Sequence, residues 1–308
     1  MITHLVLSGG GIKGFAYLGI LRYLYIENMV KDIKYVAGSS IGAFFCMILA
    51  LKIPIDILEE DLVELLKEVN NSNILSINKD SFAKLMLNNG FSSIRIIMKP
   101  IIKYLKDVYG IDDITFIDFV KKTGVNLYVN ATNVNTGERK IFCVENTPNI
   151  SVIDSVVASM SVPILFEPVS IEDDYYVDGV LSNDLPLDIF KNVSKNNTLA
   201  ILLMIADEYN FINKKGTEYN FLNYNVKVFH IMINNCINQS IFKYKDRDDF
   251  YLLKLDNMPY NRAFKFTEVD NDLKVILRQE DLDNLILKGF IDISNYMKKR
   301  YAKNDDDI

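Results

Sequence analysis

Gly9-Gly10-Gly11-Ile12-Lys13-Gly14 follows the apolar run Leu5-Val6-Leu7, and Gly38-Ser39-Ser40-Ile41-Gly42 follows Tyr35-Val36-Ala37. Each stretch reads as a strand that ends in a glycine turn and passes at once into a helix: Phe15 to Tyr25 after the first, Ala43 to Leu51 after the second. In the second turn, Gly38 and Gly42 flank Ser40 and spare the sharp reversal its Cβ clashes. Ser40 is thereby raised at a helix N-terminus, where unpaired N–H groups and the positive end of the dipole favour a developing anion. Taken alone, Gly-x-Ser-x-Gly is also an ordinary small-residue turn.

The first turn has a rival reading. Gly9, Gly11 and Gly14 spell the dinucleotide fingerprint G-x-G-x-x-G between a strand and a helix. That site needs an acidic residue at the end of the next strand to hold a ribose hydroxyl. The next strand, Ile33 to Ala37, runs instead into Gly38-Ser39-Ser40, and Asp32 precedes it. The order of the two turns suits a serine hydrolase, with oxyanion donors first and nucleophile second.

Three further stretches continue the pattern. They are Asn130-Ala131-Thr132-Asn133-Val134-Asn135-Thr136-Gly137, then Ala158-Ser159-Met160-Ser161-Val162-Pro163, then Tyr176-Val177-Asp178-Gly179-Val180. Together with the two glycine turns they resemble, in order and spacing, the patatin-like phospholipase family of lipid acyl hydrolases, over roughly Leu5 to Pro186. Two positions depart from the family's usual pattern. Ser8 stands where an acidic residue is common, and Val180 where a second glycine or alanine is common. The resemblance implies a three-layer α/β/α sandwich with a mostly parallel central sheet and a helical insertion after the nucleophile helix. It also implies a Ser-Asp dyad, Ser40 and Asp178, with motif glycines at Gly9, Gly14, Gly38, Gly42 and Gly179.

The chemistry of the residues is consistent with that dyad. Ser40 needs a base to take its proton as it attacks an ester carbonyl. The chain has only two histidines, His4 at the start of the first strand and His230 inside an apolar helix, and both read as structural. Asp178 fills the role if contact and burial raise its pKa towards the working range. Neighbouring Asp173, Asp174 and Asp184 read as a solvated loop and a helix cap. Backbone N–H groups of Gly10 and Gly11, with Gly9 and Ile41 as further candidates, can point at a tetrahedral oxyanion. Lys13 either steers a phosphate or braces the loop. The expected reaction is phospholipase A or lysophospholipase-type ester hydrolysis, on a phospholipid or other acyl lipid. It needs no cofactor and no metal, calcium included. The alternative is a catalytically weak or inactive lipid-binding module of the same fold.

Composition sets the wider bounds. The chain has 308 residues, 49% hydrophobic and 24% charged, which suits a globular protein with a large core. A net charge of −6 argues against nucleic acid as partner and against general adhesion to anionic membranes. Cys46, Cys143 and Cys236 are odd in number and widely spaced, as expected of reduced thiols in a cytoplasmic, reducing compartment. No secretory leader is apparent. The most apolar window, Val36 to Leu51, is about sixteen residues against the roughly twenty that a membrane span needs. Contact with a membrane is therefore expected to be peripheral and transient.

Strands are expected at Thr3–Ser8, Ile33–Ala37, Val125–Ala131, Glu138–Val144, Tyr175–Val177, Thr198–Ile205 and Phe250–Leu255. Leu58, Leu62, Leu65, Leu66 and Val69 recur at helical spacing. A second helix, about Ser92 to Val108, carries Arg95, Lys99, Lys103 and Lys106 along one side. It either lies on a lipid surface or covers the core with a solvated charged face. Pro100 inside it points to a kink or a late start. Val226 to Phe242 and Gln279 to Arg300 read as helices, the second resembling the C-terminal helix of compact patatin-like proteins. Residues 1–308 are expected to form one domain, with a motif-bearing core over about 4–191 that 192–308 completes.

Overall fold

The apolar runs and glycine turns of the sequence become an alternation of strands and helices. A computed structural model of the chain describes residues 1–62, 76–77, 85–204, 221–255, 266–269, 272–275 and 279–306. Strand β1 (His4–Leu7), helix α1 (Ala16–Ile26), β2 (Tyr35–Ser39) and α2 (Ile41–Ala50) come first. The short strands β3 (Ser76–Ile77) and β4 (Gly90–Ser92) follow, then α3 (Ile94–Tyr109), α4 (Phe116–Thr123), β5 (Asn126–Asn133) and β6 (Arg139–Phe142). Next are α5 (Val152–Ser159), β7 (Ile164–Phe166), β8 (Val169–Ile171) and β9 (Asp174–Val177). The last part holds β10 (Thr198–Met204), α6 (Phe221–Tyr244), β11 (Phe250–Lys254), β12 (Phe266–Val269), β13 (Asp272–Val275) and α7 (Gln279–Asp306).

The main sheet has the order β11-β10-β1-β2-β5-β9-β8, with β6 also paired to β5. Strands β11, β10, β1, β2 and β5 are mutually parallel, β6 and β9 run antiparallel to β5, and β8 pairs antiparallel with β9 at the edge. One face of this sheet, through Leu5, Leu7, Val36, Leu127, Val129, Leu199, Ile201 and Leu203, packs into a core with residues of α1, α2, α5 and α7. The opposite face, through Val6, Ala37, Ala200 and Leu202, packs on Leu185, Leu187, Phe190 and on Ile237 and Tyr244 of α6. A sheet covered on both faces is a three-layer α/β/α arrangement. It accounts for the unbroken apolar runs in β1 and β10, where both sides of the pleat are buried.

Strand register sets the functional edge. Leu7, the last residue of β1, pairs with Gly38 of β2 and with Ile201 of β10. Ser39 pairs with Asn130 of β5. The glycine loop after β1 and the serine turn after β2 therefore leave the sheet side by side at its carboxyl edge. In parallel α/β sheets this is the edge where ligands bind.

Helix α3 runs unbroken through Pro100, so the expected late start gives way to a start at Ile94 capped by the Ser93 side chain. Its buried side carries Ile94, Met98 and Leu105. On its charged side, Arg95 pairs with Asp154, Lys103 with Asp107 and Lys106 with Asp112. Of the two readings of this helix, the described contacts favour the core cover. In the acidic helix before it, Leu58 and Leu62 are buried, while Leu65, Leu66 and Val69 lie outside the described residues. Strands β4, β7 and β8 span three residues each, too few for an alternating pattern to show in sequence.

Helices α1 and α7 cross at two glycines. A Cβ on Gly19 would stand 1.8 Å from the Ile286 carbonyl oxygen, and one on Gly289 would stand 2.0 Å from that of Ala16. Backbone on both sides leaves no flexible neighbour to give way. Gly289→Ala is therefore expected to destabilise the fold by about 1–3 kcal/mol, the usual range for overpacking. A thermal melt should show this as a drop of several degrees, while Gly137→Ala, whose added Cβ meets nothing within 4 Å, should cost only the strain of an alanine at φ +72°. Equal melting temperatures for Gly289→Ala and the native chain would contradict the crossing.

Candidate active site

Ser40 occupies the reversal between β2 and α2 at φ +52° and ψ −129°, outside the regions that most residues prefer. The strain is held by close packing. A Cβ on Gly42 would stand 2.4 Å from the Leu7 and Ser8 carbonyl oxygens, and one on Gly38 would stand 2.4 Å from the Ala43 nitrogen. The turn thus sits against the end of β1, and only glycines fit at both flanking positions. The Ser40 N–H donates to Ser159 Oγ at 2.8 Å, and that hydroxyl donates to the Asn130 carbonyl at 2.6 Å. The side chain is directed by this frame, and only 5% of the residue is exposed.

Asp178 follows β9. Its Oδ2 accepts a hydrogen bond from Ser40 Oγ at 2.6 Å, and its Oδ1 accepts one from the Val180 N–H at 2.9 Å. Its own N–H donates to the Ser161 carbonyl at 2.9 Å, and its carbonyl accepts from Thr132 Oγ1 at 2.9 Å. The residue is 1% exposed. Burial pushes its carboxyl up to about 7, against the opposing pull of the hydrogen bonds from Ser40 and Val180. A serine hydroxyl and a carboxyl of that basicity in direct contact can exchange a proton without an intermediary.

Asn130 holds these parts together, a role that its place in the quoted motif did not reveal. Its Nδ2 lies at 2.9 Å from Ser39 Oγ and at 2.8 Å from the carbonyls of both Gly179 and Asn183. Arg139 Nε donates to Asn130 Oδ1 at 2.9 Å, and Arg139 Nη1 pairs with Asp188 at 2.6 Å. Asp188 also accepts from Asn183 Nδ2 at 2.8 Å. An asparagine set between Val129 and Ala131 in a strand is the available signal, because such a group, once buried, must find partners inside the fold. Arg139, Asn183 and Asp188 gave no comparable signal.

The glycine loop lies against this pair. A Cβ on Gly14 would overlap the Ile41 side chain, and one on Gly9 would stand 3.4 Å from Ser40 Cβ. Among the described residues, the N–H groups of Gly10, Gly11 and Ile41 have no hydrogen-bond acceptor. Gly9 is a correction: its N–H is taken by Asp184 Oδ1 at 3.0 Å and is not available to an oxyanion. Asp184 is a second correction, being 1% exposed and neither a helix cap nor part of a solvated loop. Asp173 is exposed, as expected of a loop, and Asp174 accepts from Asn133 Nδ2 at 2.9 Å.

His4 stands at the other end of β1, stacked on Tyr35 with ring centroids 4.5 Å apart, and burial lowers its pKa. The side chain of His230 lies outside the described residues. Cys46 and Cys143 are buried free thiols, and burial pushes both up, Cys143 to about 11. Neither is poised as a nucleophile. No helix among the described residues is long and apolar enough to cross a membrane.

Comparison with known proteins covers the same ground. The patatin-like phospholipase family model matches residues 5–191. A protein of Invertebrate iridescent virus 6 named probable lipid hydrolase 463L is 30% identical over 247 residues, 75% of this chain and 78% of its own. Uncharacterized protein R571 of Acanthamoeba polyphaga mimivirus is 26% identical over 285 residues, 87% of this chain and 89% of its own. Among solved structures, VipD from Legionella pneumophila shares the fold with a TM-score of 0.56 at 16% identity, over 97% of this chain and 67% of VipD. The family match runs from β1 to beyond the Asp178 turn and so takes in both glycine turns, and this chain belongs to the patatin-like phospholipase family.

Proposed function

We propose that this chain hydrolyses acyl-lipid esters through a Ser40 acyl-enzyme, with Asp178 as general base and then general acid. The 2.6 Å contact between Ser40 Oγ and Asp178 Oδ2, at a strained turn beside a glycine loop, is the observation that carries this reading. Asp178 takes the hydroxyl proton as Ser40 Oγ bonds to the ester carbonyl carbon. The carbonyl oxygen becomes an oxyanion, and the free N–H groups of Gly10 and Gly11, with that of Ile41, supply its donors. The C–O bond to the leaving alcohol then breaks, and Asp178 returns the proton to that oxygen. Water, deprotonated by Asp178, attacks the acyl-enzyme, and the fatty acid leaves as Ser40 regains its proton. Phospholipase A or lysophospholipase chemistry is the form of this reaction that we assign, with residues 1–308 acting as one domain. Free thiols fit a reducing, cytoplasmic setting with transient contact at a membrane surface.

Four outcomes follow from these roles. A fluorophosphonate probe should label the folded chain at Ser40, and Ser40→Ala should abolish the adduct; peptide mapping that found the label on Ser39 would count against the site. Asp178→Asn should lower kcat on a soluble ester by about 10²–10⁴-fold, the usual contribution of a positioned base. His4→Gln combined with His230→Gln should retain most turnover in protein whose melting curve is intact, and a dead but folded double variant would point to a histidine base instead. Because protonated Asp178 cannot accept the serine proton, the active form is the carboxylate. The kcat/KM of a neutral soluble ester should therefore rise with pH along an acid limb centred near 7, and a limb centred near 4 would contradict the buried base.

A further inference from the structure

Asp184 is a buried carboxyl that the proposed reaction does not use. Its Oδ1 accepts the Gly9 N–H at 3.0 Å, and its main-chain carbonyl lies 3.4 Å from the same nitrogen. Its Oδ2 is buried without a hydrogen-bond partner, an arrangement that calls for a reason in a folded protein. Burial pushes the carboxyl up to about 7, and the ammonium of Lys13 acts in the other direction. The charged and titratable groups facing it are Lys13 of the glycine loop, Asp178, Tyr17 of α1 and Cys236 of α6.

The glycine loop has a particular need for such a contact. Gly9, Gly10 and Gly11 have no side chains with which to fix their own orientation, and glycine is the residue with most backbone freedom to lose. An oxyanion hole works only if its donors are preset within a few tenths of an ångström of the developing charge. At Gly9 the loop is pressed between Val180 and Ser40, where a Cβ would stand 2.2 Å from Val180 Cγ2. Packing alone limits where Gly9 sits, but it does not choose which way its peptide plane faces. The hydrogen bond to Asp184 turns the Gly9 N–H inward, and on the other side of the residue Ser8 Oγ donates to the Gly9 carbonyl at 2.8 Å.

We infer that Asp184 is a positioning residue for the oxyanion hole: by holding the Gly9 N–H it orients the loop so that the N–H groups of Gly10 and Gly11 face the oxyanion. This inference rests on the Ser40–Asp178 reading above. What the loop requires at this position is an acceptor as close as Oδ1: asparagine supplies one through its own Oδ1, whereas alanine leaves the Gly9 N–H only the longer main-chain contact at 3.4 Å.

The test uses the full chain and two readouts. On p-nitrophenyl butyrate, Asp184→Ala should lower kcat by about tenfold or more with KM within twofold, and should slow fluorophosphonate labelling of Ser40 in proportion. Asp184→Asn should recover most of that loss and leave the acid limb set by Asp178 in place. A folded Asp184→Ala with native kcat, or an Asp184→Asn as impaired as Asp184→Ala, would overturn the inference. The second readout needs no variant to be active. With ¹⁵N-glycine labelling, the Gly9 amide resonance of the native chain should shift with pH well above the ordinary carboxylate range, and in Asp184→Asn the shift should shrink to what neighbouring Asp178 contributes. A Gly9 resonance that is flat in the native chain overturns the inference by itself, even if Asp184→Ala fails to fold. Native protein that neither labels at Ser40 nor cleaves the ester would sink the proposed reaction, and the amide titration would still decide the Gly9 contact.

Discussion

A carboxyl with 1% exposure in contact with a serine hydroxyl is the interaction on which the rest of this structure depends. Removing a carboxylate from water is costly, and a carboxylate that accepts several backbone N–H bonds recovers the cost by becoming a weaker base. Asp178 accepts one backbone N–H, from Val180, and one hydroxyl, from Ser40. Two bonds leave burial as the larger effect, and the carboxyl stays near 7. A third donor would make the site more stable and the base weaker. The local fold supplies enough partners to hold Asp178 and too few to quench it.

Bringing Ser40 and Asp178 together requires three strands to end at compatible heights. Strand β2 delivers Ser40, β9 delivers Asp178 and β5 lies between them, paired to both. The Asn130 amide ties the β2 end to the turn after Asp178, and Ser159 at the end of α5 ties the Ser40 N–H to β5. These bonds are short, buried and mutually dependent, so a loss at one leaves unsatisfied groups at others. The candidate site at this edge is therefore framed by a polar network embedded in a largely apolar sheet, with the Arg139–Asp188 pair as its outer anchor.

Much of this was legible in the residues. The β1 and β10 strands show as apolar runs because the sheet is covered on both faces, and the two glycine turns mark where the chain must reverse at close quarters. Ser40 and Asp178 stood out by motif, and the fold brings them to hydrogen-bonding distance. The hub role of Asn130 depends on partners in β2, β6 and the turn after Asp178, and such long-range pairing leaves no local trace. Asp184 was misread for the same reason. Its neighbours in sequence suggest a polar turn, and only the glycine loop, far earlier in the chain, explains its burial. Gly9 is a further candidate donor in the sequence because motif spacing identifies which N–H groups are near the serine, not which of them another residue has taken. Pro100 does not delay the start of α3, because the missing hydrogen bond it causes is local, whereas Ile94, Met98 and Leu105 hold α3 to the core on both sides of it.

Two buried carboxyls with values near 7 set stability against activity in this fold. In the unfolded chain both aspartates titrate at the ordinary carboxylate value, near 4. Between about pH 4 and 7 the folded chain thus holds protons that the unfolded chain has released. Stability falls as pH rises wherever the folded state binds the more protons, so each carboxyl lowers stability across that window and its full cost is present above it. The form of Asp178 that folding disfavours is the carboxylate, which is the form able to take the Ser40 proton. Replacing Asp178 or Asp184 by a neutral residue of the same shape removes that conflict for stability. At Asp178 it removes the proposed base as well, whereas at Asp184 the acceptor for Gly9 survives in asparagine, so the two positions differ in what the proposed reaction asks of their charge.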